Sequence, residues 1–160
     1  MKQDRINLYR LAFILAVVTI LYNVAEGLVS LWFGVSDESL ALLGFGLDSL
    51  IEVVSGIGIV HMIFRIRQHG EGNRSSFEKT ALQITGTSFY LLAAGLVLTG
   101  VYNLFTHHKP ETTSWGIVIS LVSIFSMVIL IYLKLKTGRK LNSDAIIADA
   151  RCTRICLYMS

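Results

Sequence analysis

Four long apolar runs limit what this chain can fold into. They cover about Leu11–Phe33, Leu40–Phe64, Thr80–Phe105 and Trp115–Leu133. Each is long enough to cross a hydrocarbon core ~30 Å thick, which takes roughly 20 residues of helix. Inside lipid a backbone must satisfy its own hydrogen bonds, so such runs fold as helices. A fifth run starts near Asn142 and is cut off at Ser160; at ~1.5 Å per residue it rises about 28 Å. The expected fold is all-α: a polytopic membrane helix bundle with about five transmembrane helices, the last one cut short. Composition agrees. Hydrophobic residues are 53% of the chain and charged residues 16%, too few charges to coat a water-soluble core.

Polar links separate the runs: "GVSDES", "RIRQHGEGNRSSFEK", "THHKPETT" (with the single proline, Pro110) and "KLKTGRKLNSD". Lys2, Arg5 and Arg10 precede the first run. Arg65, Arg67, Arg74 and Lys79 fill the second link, and Lys134, Lys136, Arg139 and Lys140 the fourth. The first link has no basic residue and the third has only Lys109. By the positive-inside rule, the N-terminus and the two basic links face the cytoplasm. A multi-pass protein of the cell (inner) membrane is expected, its partner the lipid bilayer. Tyr9, Trp32, Trp115 and Tyr132 lie near run ends, where aromatic rings favour the interface. The first apolar run is too long for a signal-peptide core.

Other classes find little support. The net charge of +3 is small, and the basic residues sit between apolar runs rather than on one face, so no nucleic-acid partner is expected. No loop nucleophile–base pair and no phosphate-binding glycine motif points to an enzyme. The pair Cys152 and Cys156 makes no disulfide framework, and no prosthetic group is implied.

The stretch "GFGLDSLIEVV" puts acids where they cost most. Gly44, Asp48, Glu52 and Gly56 recur every fourth residue and share one helix face. The two glycines would let another backbone approach. A carboxylate at the bilayer centre costs about 2.5–3.5 kcal/mol on insertion scales. This face is therefore expected to meet protons, a cation or a water-filled cavity. The bland alternative is a protonated acid hydrogen-bonded to a neighbouring helix.

The fifth run repeats the pattern. "SLALLGFGLDSLIE" from Ser39 and "SDAIIADARCTRIC" from Ser143 each carry Ser, then Ala two residues on, then two aliphatics. Asp48 and Glu52 in the first correspond to Cys152 and Cys156 in the second. Paired interrupted segments point to a midplane site in transporters. Two carboxylates and two thiolates would make four ligands, a set that suits Zn²⁺, with Cd²⁺ as a surrogate; Mg²⁺ and Ca²⁺ prefer all-oxygen cages. From spacing alone, Cys152 and Cys156 fit equally well as small packing residues. Metal binding needs deprotonated ligands, so it releases protons, and such a site could exchange a metal ion for protons. Glu26, with Asn23 and Tyr22 nearby, would line the same cavity, relay protons or bond a neighbouring helix. Asp149 suits orientation of the ligands or helix packing. Arg151 and Arg154 point elsewhere on the helix wheel, to pair with acids such as Asp149 or reach for an interface. His61 near the end of the second run could help admit metal. His69 with Glu71, and His107 with His108, read as solvated link residues.

At these residues the chain resembles the cation diffusion facilitator (cation efflux) family of metal–proton antiporters, over its N-terminal four spans and the start of the fifth. The family's second span reads S-x-A-L-L…[H/D]-S-x-x-D, and its fifth S-x-A…A-D-x-x-[H/D]-x-x-x-D. The resemblance implies that Asp48, Glu52, Cys152 and Cys156 are the metal ligands. It implies a divalent cation exporter working by metal/proton antiport, with Zn²⁺ as the expected cargo and a homodimer as the expected assembly. Glu at 52 and the two Cys depart from the family's usual Asp and His. Residues 1–160 are expected to be a transmembrane cation-efflux domain, incomplete because the sixth span and the C-terminal cytoplasmic domain are absent. The alternative is a non-transporting, degenerate or truncated membrane protein that binds metal or pairs with another subunit.

Overall fold

The computed structural model describes residues 2–36, 40–106 and 114–159. Five helices follow in order: α1 Lys2–Ser36, α2 Leu40–His69, α3 Arg74–Thr106, α4 Ser114–Leu141 and α5 Asp144–Met159, with a 3-10 turn Glu71–Asn73 before α3. Among the described residues there is no strand. Four helices are long and apolar enough to cross a membrane, over Asp4–Ser36, Leu42–His69, Arg74–Leu98 and Ser120–Leu141. The described α5 has 16 residues, about 24 Å of rise, so it does not reach that length.

The links are shorter than the polar stretches suggest. α2 runs through Arg65 and Arg67 to His69 and stops at Gly70, whose φ of 72° is left-handed. Glycine adopts that conformation without a Cβ clash. α4 runs on to Leu141 and stops at Asn142, φ 48°. There the Asn142 N–H donates to the Arg139 carbonyl at 3.2 Å and the Ser143 N–H to the Gly138 carbonyl at 3.0 Å. That pair of bonds is a Schellman cap, and asparagine tolerates its left-handed position. Arg74 closes the same end, its Nη2 donating to the Leu141 and Asn142 carbonyls at 2.7 Å each.

α1 packs most extensively along α2. A methyl on Gly46 would sit 2.7 Å from Leu31 Cγ and 3.1 Å from the Gly27 carbonyl oxygen, and one on Gly56 2.8 Å from Ile20 Cγ1. Gly46 and Gly56 are thus close-approach points. Gly44, expected to be one, is not: no described atom lies within 4 Å of a methyl built there.

The main apolar core joins Tyr9, Ala12, Ile63, Ala81, Leu141 and Ala145, from all five helices. Tyr9, expected at an interface, is 7% exposed in this core, because α1 begins well before its apolar run and packs there against α2 and α4. Trp32 is exposed, and Tyr132 is exposed but lies well inside α4 with Lys136 over its ring at 5.8 Å. The Trp115 side chain, Pro110, Lys109, His107 and His108 lie outside the described residues. Arg67 stacks on Phe13 and Arg65 on Phe77. With Arg74 on the α4 cap, the basic residues of the N-terminal half of α1, the α2–α3 link and the α4–α5 link collect at one end of the bundle.

Candidate metal site between α2 and α5

The acids of α2 face inward. Asp48 and Glu52 are each 4% exposed, because both lie on the stripe that packs against α1 and α5. Cys156, 1% exposed, comes to them from α5: its thiol donates to Asp48 Oδ1 at 2.9 Å. Cys152, one turn earlier, is half-buried and lines a small cavity with Cys156, Glu52, Ser55, Thr85 and Ser88. Its volume is about 10 Å³, room for about one water.

From α1, Asn23 Nδ2 donates to Glu52 Oε2 at 3.0 Å. Glu52 Oε1 is buried with no hydrogen-bond partner among the described residues. Glu26 is buried beside them. Its Oε1 accepts from the Tyr22 hydroxyl and its Oε2 from the Ser49 hydroxyl, both at 3.0 Å. Ser49 follows Asp48 directly, so α1 and α2 share one continuous polar seam.

Cys156 thus joins Asp48 and lines the cavity with Glu52 and Cys152, while Asn23 and Glu26 approach α2 from α1. The four predicted ligands do not form a finished cage. Among the described residues, no group of three or more His, Cys, Asp or Glu side chains stands ready to hold a metal ion. The thiol proton of Cys156 occupies Asp48 instead, so a cation would have to displace it.

Asp149 takes an unexpected partner. Its Oδ2 lies 2.8 Å from Lys134 Nζ on α4, and its Oδ1 accepts from the Ser55 hydroxyl at 2.7 Å. Ser55 also meets Thr85 Oγ1 of α3 at 3.0 Å. Arg151 and Arg154 are exposed, so Asp149 pairs with neither. Lys134, assigned to a solvated link by its place in "KLKTGRK", is 2% exposed inside α4. One signal could have revealed it. Lys134 continues the buried stripe Ser123, Met127, Leu130 and Ile131 at helical spacing, whereas Lys136 does not. His61 is exposed on α2, and His69 bonds the Arg65 carbonyl and rests against Phe77; neither reaches the site. The Glu71 side chain is outside the described residues.

A family model described as a cation efflux transmembrane domain matches residues 12–160. The chain belongs to the cation efflux family. This cation efflux chain is also 27% identical over 125 residues to Protein p34 of Rickettsia rickettsii (strain Sheila Smith). The match covers 76% of this chain and 42% of that protein, so the chain spans less than half the length of that relative. No solved structure matches. With four helices long enough to span a bilayer, this is a multi-pass membrane protein.

Proposed function

We propose that residues 1–160 form a transmembrane cation-efflux domain that exports a divalent metal ion from the cytoplasm in exchange for protons, with Asp48, Glu52, Cys152 and Cys156 as the ligands. The observation that carries this reading is the contact of Cys156 with Asp48, which joins α5 to α2 beside the unsatisfied Glu52 Oε1. Two carboxylates and two thiols suit Zn²⁺ better than Mg²⁺ or Ca²⁺. Loading the site removes the thiol protons, and reprotonation releases the ion. Glu26, bonded to Ser49 and Tyr22, is the group best placed to pass protons along the α1–α2 seam, and Asn23 orients Glu52. Asp149 fixes the rotation of α5 through Ser55 and Lys134.

The basic end of the bundle faces the cytoplasm of the cell (inner) membrane in this reading, with the N-terminus inside, and two copies form the working unit. The test is metal-stimulated proton flux in proteoliposomes with Zn²⁺, Cd²⁺, Fe²⁺, Mn²⁺ and Co²⁺ offered separately. Zn²⁺-driven flux that vanishes in Asp48→Asn and Cys156→Ser supports it. Flux unchanged in all four single ligand variants refutes the site. Stable metal binding without flux favours the second reading, a non-transporting membrane protein that binds metal or pairs with another subunit.

A further inference from the structure

Lys134 is the buried cation next to the proposed ligand set but outside it. It comes from α4, which contributes none of the proposed ligands, yet its partner Asp149 is hydrogen-bonded to Ser55, which lines the cavity. Asp149, its partner at 2.8 Å, is one turn before Cys152. Thr153, which its Nζ approaches at 3.4 Å, is the next residue after Cys152. Ser55, which holds the other oxygen of Asp149, is one turn beyond Glu52 and lines the cavity with Glu52 and Cys152. The charge balance is lopsided. Among the described residues, four buried carboxyls, Glu26, Asp48, Glu52 and Asp149, share the interior with one buried ammonium.

We propose that Lys134 is a tethered counter-cation that, held on Asp149, sets how tightly the neighbouring site grips its divalent ion. Lysine suits this role because it carries a compact point charge on a flexible stem. Paired with Asp149 it is largely neutralised, and the ion sees the ligands almost alone. Without Lys134, Asp149 adds one uncompensated negative charge next to the cavity, so the ion is held more tightly and leaves more slowly. Without the Asp149 charge, the ammonium is freed toward Glu52 and Cys152 and competes with the ion. Lys134 is thus a positioning residue that tunes affinity and release and does not touch the cargo. The inference rests on the ligand assignment proposed above.

The two halves of the pair therefore move affinity in opposite directions, which a simple structural brace would not do. The full chain is purified in detergent and titrated calorimetrically with Zn²⁺ and, separately, Cd²⁺; flux is measured in proteoliposomes. Lys134→Met should tighten binding about tenfold and lower both KM and maximal flux; Asp149→Asn should weaken binding about tenfold, as expected for a unit charge close by in a partly dry interior. The double variant should return toward the parent, and Lys134→Arg should stay near it. If Lys134→Met does not fold, Lys134→Gln, which can still donate to Asp149, is titrated in its place with the same expectation. If neither folds, Asp149→Asn decides by its direction. Shifts of the same sign in both single variants, or none, overturn this inference and leave the ligand assignment intact. No Zn²⁺ or Cd²⁺ binding by the parent chain overturns both.

Discussion

Cys156 and Asp48 share one proton-mediated contact of 2.9 Å although 108 residues separate them. A thiol that donates to a carboxylate must give up that proton before both can ligate a cation. Zn²⁺ addition to the detergent-purified chain in weak buffer should therefore release protons, read with a pH indicator, and Cys156→Ser should reduce the release. Acidification should weaken Zn²⁺ binding for the same reason, since protons and metal compete for the same atoms. Asn23 supplies the hydrogen bond to Glu52 Oε2 seen in the structure. Asn23→Ala leaves that oxygen buried and unsatisfied, at a cost of about 1–3 kcal/mol, visible as a lower thermal midpoint. Period-four spacing alone puts Asp48 and Glu52 on one face, and that face is buried in the structure; the ligand role of Cys152 and Cys156 came from the family resemblance. Lys134 shares the helical spacing of Ser123, Met127, Leu130 and Ile131, but its place in the chain hides that signal. A lysine at the end of an apolar run looks like the start of a solvated link, and only the continuation of α4 to Leu141 makes it interior.

Helix ends and helix contacts obey local chemistry that substitutions can probe. Gly70 holds a left-handed φ of 72°, so Gly70→Ala should destabilise the chain by about 1 kcal/mol. Asn142 holds the same region at φ 48°; Asn142→Gly should be neutral or slightly stabilising, and Asn142→Val clearly destabilising. Thermal unfolding in detergent measures all three. The glycines of α2 play different parts, and Gly46 lies off the period-four face shared by Gly44 and Gly56. Gly46→Ala would push a methyl into Leu31 and the Gly27 carbonyl, costing roughly 1–3 kcal/mol of overpacking. Gly44→Ala meets no described neighbour and should be tolerated. A fourfold glycine repeat says which face the residues share, but not which partner, if any, comes close.

Across the whole molecule, the polar interior is divided between two seams. One joins α1 to α2 through Tyr22, Glu26, Ser49, Asn23 and Glu52. The other ties α2, α3, α4 and α5 through Ser55, Thr85, Lys134 and Asp149. The proposed ligands stand where the seams meet, so metal binding should brace both. A ligand that binds only the folded state at 100 times its Kd adds about 2.7 kcal/mol. Zn²⁺ should raise the thermal midpoint accordingly, EDTA should reverse it, and Glu52→Gln should abolish it. Breaking the buried Lys134–Asp149 pair from one side has a price of about 3–5 kcal/mol, larger than any single cap or glycine change above. Such a cost would make that pair the main electrostatic lock of the second seam.

Apolar run length determined that this chain is a helical membrane protein, because apolar runs of roughly 20 residues or more match helices, whereas barrel strands cross in about 10 alternating residues. Period-four spacing determined which face of α2 carries Asp48 and Glu52, because a helix repeats every 3.6 residues whatever surrounds it. The tertiary structure decided the rest. It decided that Tyr9 is core, that Gly46 rather than Gly44 is a point of close approach, and that Asp149 binds Lys134 instead of Arg151 or Arg154. Those outcomes depend on which helix lies against which, and on a low-dielectric interior that rewards one nearby opposite charge over two that can reach solvent.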